Sequence, residues 1–335
     1  NDERSPIDKK KFIKSIKSIK SINSKTNKYL LDKSRGYVSY IRGENPLYFP
    51  LKLYPKNSVE FDNIKGFKFI KTKMIEHQQK YYEQNIEHIK LIDSDDDDIE
   101  ENSNNFATNS TMSSNIVFPN NDIGNNSFNM CINSNKESYS FRNVSIIKEN
   151  NEELPFLHMK HLKKYSCKYY NIINIINKSN GVVFVYSRFL KSGIIPFALA
   201  LELEGYTNYE KNLLSTNKYN KDKLNINYIL ITGSTPKNKL NEYVNIINNE
   251  QNIDGKSIKI ILGTGVIEQG ISFKRIREVH IIEPWFHFNK YRQIEGRAIR
   301  NKSHELLNKK DRNVLIYLYC SYIDENKIYN DQKMN

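Results

Sequence analysis

The sequence predicts an α/β fold over residues 154–325, a parallel β-sheet with helices on both faces. A basic N-terminal segment and a polar insertion precede it. Three observations carry the prediction. Apolar runs of strand length recur at 182–186, 228–231, 258–262, 279–282 and 314–319, the composition of strands buried on both faces. The stretches between several of them place apolar residues at helical spacing. Strand and helix alternating at this interval favour parallel neighbours over hairpins.

Taken in order, residues 1–30 are dominated by lysine. Ile13, Ile16 and Ile19 recur every three residues, which predicts a short amphipathic helix with a lysine face. A solvated connecting helix is the expectation, and a basic nucleic-acid arm the alternative. Residues 35–55 combine aromatics, glycines and prolines, the mark of an ordered, turn-rich segment. Its Tyr and Phe side chains can stack on bases or pack one lobe against another. Residues 67–90 alternate apolar and polar positions, then place Met74, Ile75, Gln78 and Tyr81 at helical spacing. Residues 1–90 thus form a basic linker and an aromatic, proline-rich inter-lobe segment. Residues 91–153, rich in Asn and Ser, read as a low-complexity and mostly disordered insertion. The run Asp95 to Asp98 lacks the Gly and spaced Glu of a calcium loop, so a solvated acidic tract is expected.

Order resumes near Leu154. A helix is expected over 158–178, then the first strand, then a helix through Leu199 and Glu202 with Gly205 at its C′ position. The second strand enters Thr232-Gly233-Ser234 and a helix over 237–248. The third and fourth strands follow, then a helix bearing Gln293-Ile294-Glu295-Gly296-Arg297-Ala298-Ile299-Arg300. The last strand ends near 319, and 326–335 is a tail.

Composition narrows the partners. A net charge of +13 over 335 residues favours a polyanion, most simply nucleic acid. Lys and Asn are abundant throughout, however, so charge supports that class without establishing it. Cys131, Cys167 and Cys320 lie far apart and form no disulfide or zinc framework, which fits a reducing intracellular compartment. His158 with His161 and His280 with His287 lack ligand company at metal spacing, so no metal site is expected in this chain. There is no signal peptide and no apolar run near membrane length, so no membrane partner is expected. The chain begins Asn-Asp-Glu-Arg rather than with Met, and a piece of something longer is expected.

In a parallel sheet, functional groups collect at the carboxyl ends of the strands. The polar residues obey that rule: Ser187 and Arg188 follow the first strand, Thr232, Gly233 and Ser234 the second, Gly263, Thr264 and Gly265 the third, and Glu283 with Pro284 the fourth. Small hydroxyl residues and glycines let backbone amides approach phosphates closely. Arg297 and Arg300, three apart behind Gln293 and a close-packed Gly296, present guanidinium forks suited to phosphate oxygens.

These motifs, in this order and each at a strand end, resemble the second RecA-like lobe of a superfamily-two helicase. The stretch from Gly263 to Ser272 is similar to the family's fifth motif, Gln293-xx-Gly296-Arg297-xx-Arg300 to its sixth, and Phe184 to Ser187 stands where the fourth belongs. Residues 35–55, with 116–119, further resemble helicases of large cytoplasmic DNA viruses, including the poxvirus early-transcription-factor ATPase subunit. The resemblance implies a nucleic-acid-dependent ATPase that moves on or unwinds DNA or RNA, in viral transcription or genome handling. It implies ATP and magnesium held mainly by an N-terminal RecA-like lobe, in the same longer chain or a separate subunit. Transcription machinery is an implied partner, and a virion or cytoplasmic viral factory an implied location. Arg300 would be the arginine finger on the γ-phosphate, with Arg297 beside it and Gln293 positioning water or phosphate. Glu268, Gly270, Ser272 and Gly296 would line and couple the ATP cleft, although many members carry Asp where this chain has Ser272. Ser187, Arg188, Thr232, Gly233, Thr264 and Gly265 would meet the nucleic-acid backbone.

A phosphate loop of the Gly-x-x-x-x-Gly-Lys-Ser/Thr type is absent from the sequence. Gly255-Lys256-Ser257 is a near miss with Glu at position 250 and no strand leading into it, and Asp324-Glu325 follows the sixth motif instead of preceding the fourth. The expectation is therefore half of an ATPase, inactive by itself. The rival is a non-catalytic nucleic-acid-binding or scaffold subunit, which need not keep paired arginines. A small-molecule α/β enzyme would need a catalytic acid, base or nucleophile at the strand ends, and no convincing set is present.

Overall fold

The computed structural model describes residues 48–62, 64–92, 108–135, 138–216, 219, 224–265, 271–283 and 288–323. All fall in one unit, Asn45–Asn335. Expectations for residues 1–47, for Asp95 to Asp98, for Glu268 and Gly270, for Pro284 and His287, and for Asp324, Glu325 and the tail lie outside the described residues.

The chain opens with β1 (Leu51–Leu53), β2 (Val59–Phe61), β3 (Ile64–Lys73) and α1 (Glu76–Ile92). Helix α2 (108–115) and α3 (Gly124–Cys131) follow, then two hairpins, β4 (Ile132–Asn135) with β5 (Ser138–Phe141) and β6 (Ile146–Glu149) with β7 (Glu152–Pro155). Helices α4 (Met159–Tyr165) and α5 (Cys167–Ile176) lead into β8 (Val182–Tyr186). A turn of π-helix, Leu190–Ile194, runs into α6 (Ile195–Leu203), followed by β9 (Thr207–Asn208), β10 (Asn227–Ile231) and α7 (Lys237–Asn248). Next are β11 (Ile260–Gly263), β12 (Ile276–Ile281), α8 (Phe288–Ala298) and β13 (Asn313–Tyr322).

The expected parallel sheet forms. Its order is β2-β3-β13-β12-β8-β11-β10-β9, with β1 beside the first half of β13. Only the β2–β3 pair is antiparallel. The run Val182-Val183-Phe184-Val185-Tyr186 is buried throughout because both faces are covered. Val183 and Val185 face a core with α4, α5 and α6, while Val182, Phe184 and Tyr186 face one with α7 and α8. Helix α6 ends where expected, with Gly205 at φ +97°, a left-handed conformation that glycine enters at no steric cost.

Two elements differ from the sequence reading. The expected helix over 158–178 is broken at Ser166, which is extended (φ −151°) and accepts from the Tyr169 amide to cap α5. A serine that can cap satisfies an orphan donor better than one inside a helix. The second difference is larger. Much of the segment expected to be disordered, 108–135 and 138–153, folds onto the sheet. Ile116, Val117, Phe118, Phe128, Cys131 and Ile132 are buried, most of them in the core shared with α4 to α6. Those six apolar residues are buried despite the polar sequence around them, while Met130 and Val144 stay exposed.

Candidate functional site

The expected strand-end residues stand side by side. The Thr264 amide donates to Ile231 O (3.2 Å), the Ser187 amide to Gly263 O (3.1 Å) and the Ile282 amide to Tyr186 O (3.0 Å). The carboxyl ends of β10, β11, β8 and β12 therefore form one row, spanning roughly 14 Å at the usual strand spacing. Along it lie Thr232 and Gly233, then Thr264 and Gly265, then Ser187 and Arg188, then Glu283. Gly233 and Gly265 are exposed, whereas Thr232, Thr264 and Ser187 are buried. Thr232 Oγ1 lies 2.8 Å from Ser234 Oγ, closing its own turn. From β8 the chain passes to the face covered by α6, and from β12 to the face covered by α8. Adjacent strands whose connections leave on opposite faces open the crevice in which α/β sheets bind ligands.

Glu283 occupies that crevice. Its side chain accepts from Ser187 Oγ (3.0 Å), from the Arg188 amide, and from Asn115 Nδ2 (3.0 Å). Burial pushes its pKa above the ordinary carboxylate value; the Arg188 amide, nearby Lys168, Ser187 and Asn115 oppose that shift. The Arg188 guanidinium lies over the Phe189 ring, 4.3 Å from its centroid. Ser187, a residue expected to meet the nucleic-acid backbone, has its hydroxyl 3.0 Å from Glu283 Oε1 and 3.2 Å from Phe189 O. A small cavity beneath Arg188 is lined by Tyr186, Glu283, Lys290 and Tyr291.

The arginine pair sits on the next element. Arg297 Nη1 donates to Ile271 O (3.1 Å), and the Phe273 amide donates to Arg297 O (3.3 Å). Helix α8 is thereby fastened to the tail of the stretch that begins at Gly263, with Ser272 between the two attachment points. Ser272 O also accepts from Asn248 Nδ2 (3.0 Å). Arg300 lies beyond the last residue of α8, and its Nε donates to Gly296 O (2.9 Å). Gly296 is not close-packed: a Cβ there would meet nothing within 4 Å. Gln293 is exposed. The helix is also held from β1, where Lys52 Nζ donates to Glu295 Oε2 (2.7 Å) and lies 5.5 Å from the Tyr291 ring centroid.

Gly255-Lys256-Ser257 lies before β11, at the amino end of the strand and opposite the row. Asn252 Oδ1 accepts from the Ser257 and Ile258 amides there, both at 2.9 Å. Among the described residues no cluster of three His, Cys, Asp or Glu side chains could hold a metal ion, and no helix is long and apolar enough to cross a membrane. Sequence reasoning missed Asn115 and Lys168, and it assigned Glu283 no role. Asn115 immediately precedes the buried Ile116-Val117-Phe118 triplet, a signal that its side chain would be drawn into the core.

Comparison with known proteins agrees with this layout. Residues 167–302 match the model of the helicase conserved C-terminal domain. A protein of Acanthamoeba polyphaga mimivirus with the provisional name of an ATP-dependent RNA helicase is 32% identical, over 90% of this chain and 45% of its own length. Nucleoside triphosphatase I of Choristoneura biennis entomopoxvirus is 34% identical over 50% of this chain and 22% of its own. The termination factor NPH-I homolog of African swine fever virus is 28% identical over 46% and 26%. The chain spans less than half the length of these relatives. The ordered strand-end motifs, the domain match and the viral relatives agree: residues 167–302 are a helicase conserved C-terminal domain, similar to the C-terminal, RecA-like lobe of superfamily-two helicases.

Proposed function

We propose that the chain supplies one wall of an ATP site and part of a nucleic-acid track in a two-lobed, ATP-driven motor. The attachment of α8 to Ile271 through Arg297 carries this reading, since it makes the two motifs one mechanical piece. In this reading the strand-end row meets the nucleic-acid backbone. Gly233 and Gly265 allow close approach, Arg188 supplies charge, and the buried hydroxyls of Thr232, Thr264 and Ser187 shape the loops. Glu268 and Gly270 would couple that row to the ATP side.

Arg297 and Arg300 fit triphosphate oxygens. The described residues offer no carboxylate cluster for magnesium and no phosphate loop, so ATP and magnesium are assigned mainly to an opposing lobe. Arg300, steadied by Gly296 O, would place its remaining donors on the γ-phosphate as negative charge develops there. Arg297 would brace the same region, and the exposed Gln293 would orient water. The names of the relatives, an RNA helicase, a nucleoside triphosphatase and a termination factor, support a setting in viral transcription or genome handling.

In the protein that joins this chain to its ATP-binding lobe, DNA or RNA should stimulate ATP hydrolysis. Arg300→Ala should lower turnover by roughly 10³-fold or more while nucleic-acid affinity changes little; unchanged turnover would remove Arg300 from the ATP site. The chain alone should show no turnover above background. The scaffold reading predicts nucleic-acid binding with no ATPase activity in the joined protein either.

A further inference from the structure

We propose that Asn115 is a positioning residue: through it, the segment inserted before the RecA-like lobe sets the loop after β8 and the pose of Arg188. The inference rests on the reading above only for what Arg188 touches. Asn115 is completely buried, and its amide bridges two buried charged side chains. Lys168 Nζ donates to Asn115 Oδ1 (3.0 Å), and to Ser114 Oγ (3.0 Å). Asn115 Nδ2 donates to Glu283 Oε2 (3.0 Å) and, at longer range, to Ser192 O (3.4 Å). The orientation of the amide follows from its neighbours, because the flipped form would turn its NH₂ toward the ammonium and its oxygen toward the carboxylate.

Glu283 passes this constraint on. Its Oε1 accepts from Ser187 Oγ and from the Arg188 amide. Ser187 is in turn interlocked with the π-helical turn, since a Cβ on Gly193 would stand 2.0 Å from Ser187 Oγ. The opposite side of that turn is held by Tyr169, whose hydroxyl donates to Gly193 O (2.7 Å). One amide therefore touches both the start of the loop, through Glu283, and its end, through Ser192 O. A segment that only covered the sheet would need no polar side chain aimed at the strand ends.

The chemistry supplies its own control. Asn115→Asp places a carboxylate against Glu283, and Glu283→Gln removes the anion that balances Lys168. The double variant Asn115→Asp/Glu283→Gln re-forms the chain of bonds with one donor and acceptor exchanged. The new side-chain amide at position 283 then donates to the new carboxylate at position 115, which accepts from Lys168. The carbonyl of that same amide accepts from Ser187 and Arg188. The long bond to Ser192 O is lost, and a carboxylate oxygen faces that carbonyl in its place.

The test uses the full 335-residue chain and two readouts: amide hydrogen exchange over 188–194, and anisotropy of labelled single-stranded DNA and RNA oligonucleotides. Each single variant should speed exchange in that window by about tenfold or more, the equivalent of one buried hydrogen bond, and weaken oligonucleotide binding. The double variant should return both toward wild type. If a single variant does not fold, recovery of the fold in the double variant is the supporting result. A double variant that stays as perturbed as the singles, or singles with unchanged exchange, would overturn the proposal. Restored exchange in a chain that binds neither oligonucleotide would leave the coupling standing and sink the nucleic-acid reading instead.

Discussion

His304 is buried, with Nε2 2.8 Å from Ile276 O and Nδ1 2.8 Å from Ser303 Oγ. Burial pushes its pKa down to about 4, opposed by the bond to Ile276 and assisted by Arg277, Arg275 and Arg312. The unfolded ring titrates near the ordinary value of 6.5, so below that pH the unfolded chain takes up a proton that the folded chain refuses. The stability involved is fully present above about pH 6.5 and is lost as pH falls toward 4, on the order of 3 kcal/mol at most. Urea denaturation across that interval should show a shallower loss for His304→Gln than for wild type; parallel curves would mean that His304 titrates normally. Single residues were unevenly legible. Gly205 could be assigned from its place after an apolar helix, because a left-handed C′ residue is a local requirement. The surroundings of Gly296 could not, because what faces a glycine depends on chain distant in sequence. Ser187 shows the same limit: its place after a strand was readable, its commitment to Glu283 was not.

The segment before the lobe tests the element scale. Helical periodicity and buried-strand composition located most elements from β8 onward, including α7 with its observed bounds, because those signals are local and strong. They failed for 108–153, where Asn and Ser dilute the apolar residues below any recognisable period. Burial against α4 to α6 outweighs weak local propensity there. Phe118 is completely buried and packs against Phe128 and Phe156, with centroids 6.2 and 5.9 Å away. Phe118→Ala should therefore cost about 3–5 kcal/mol in chemical denaturation. A disordered insertion would show a change within about 0.5 kcal/mol, so the measurement separates the two outcomes cleanly. The same packing delivers Asn115 and, through Ser166, the break between α4 and α5: Ser166 Oγ donates to Asn115 O at 2.5 Å.

At the scale of the whole molecule, the net charge of +13 favours polyanion binding, and the proposed function assigns the phosphates to the strand-end row. Binding of a single-stranded oligonucleotide should weaken as salt rises, with a log–log slope of about −0.7 for each phosphate neutralised. Arg188→Ala should make that slope shallower by about 0.7; an unchanged slope would place the contact elsewhere. The parallel α/β class, the order of the motifs and their positions at strand ends are legible in the chain alone, because apolar runs and their spacing encode those locally. Three features emerge only on folding: much of the polar insertion is ordered, Glu283 gathers Ser187, Arg188 and Asn115, and Arg297 ties α8 to Ile271. Each depends on a contact between residues far apart in the chain, and hydrogen bonds and burial at such separations leave no period to read.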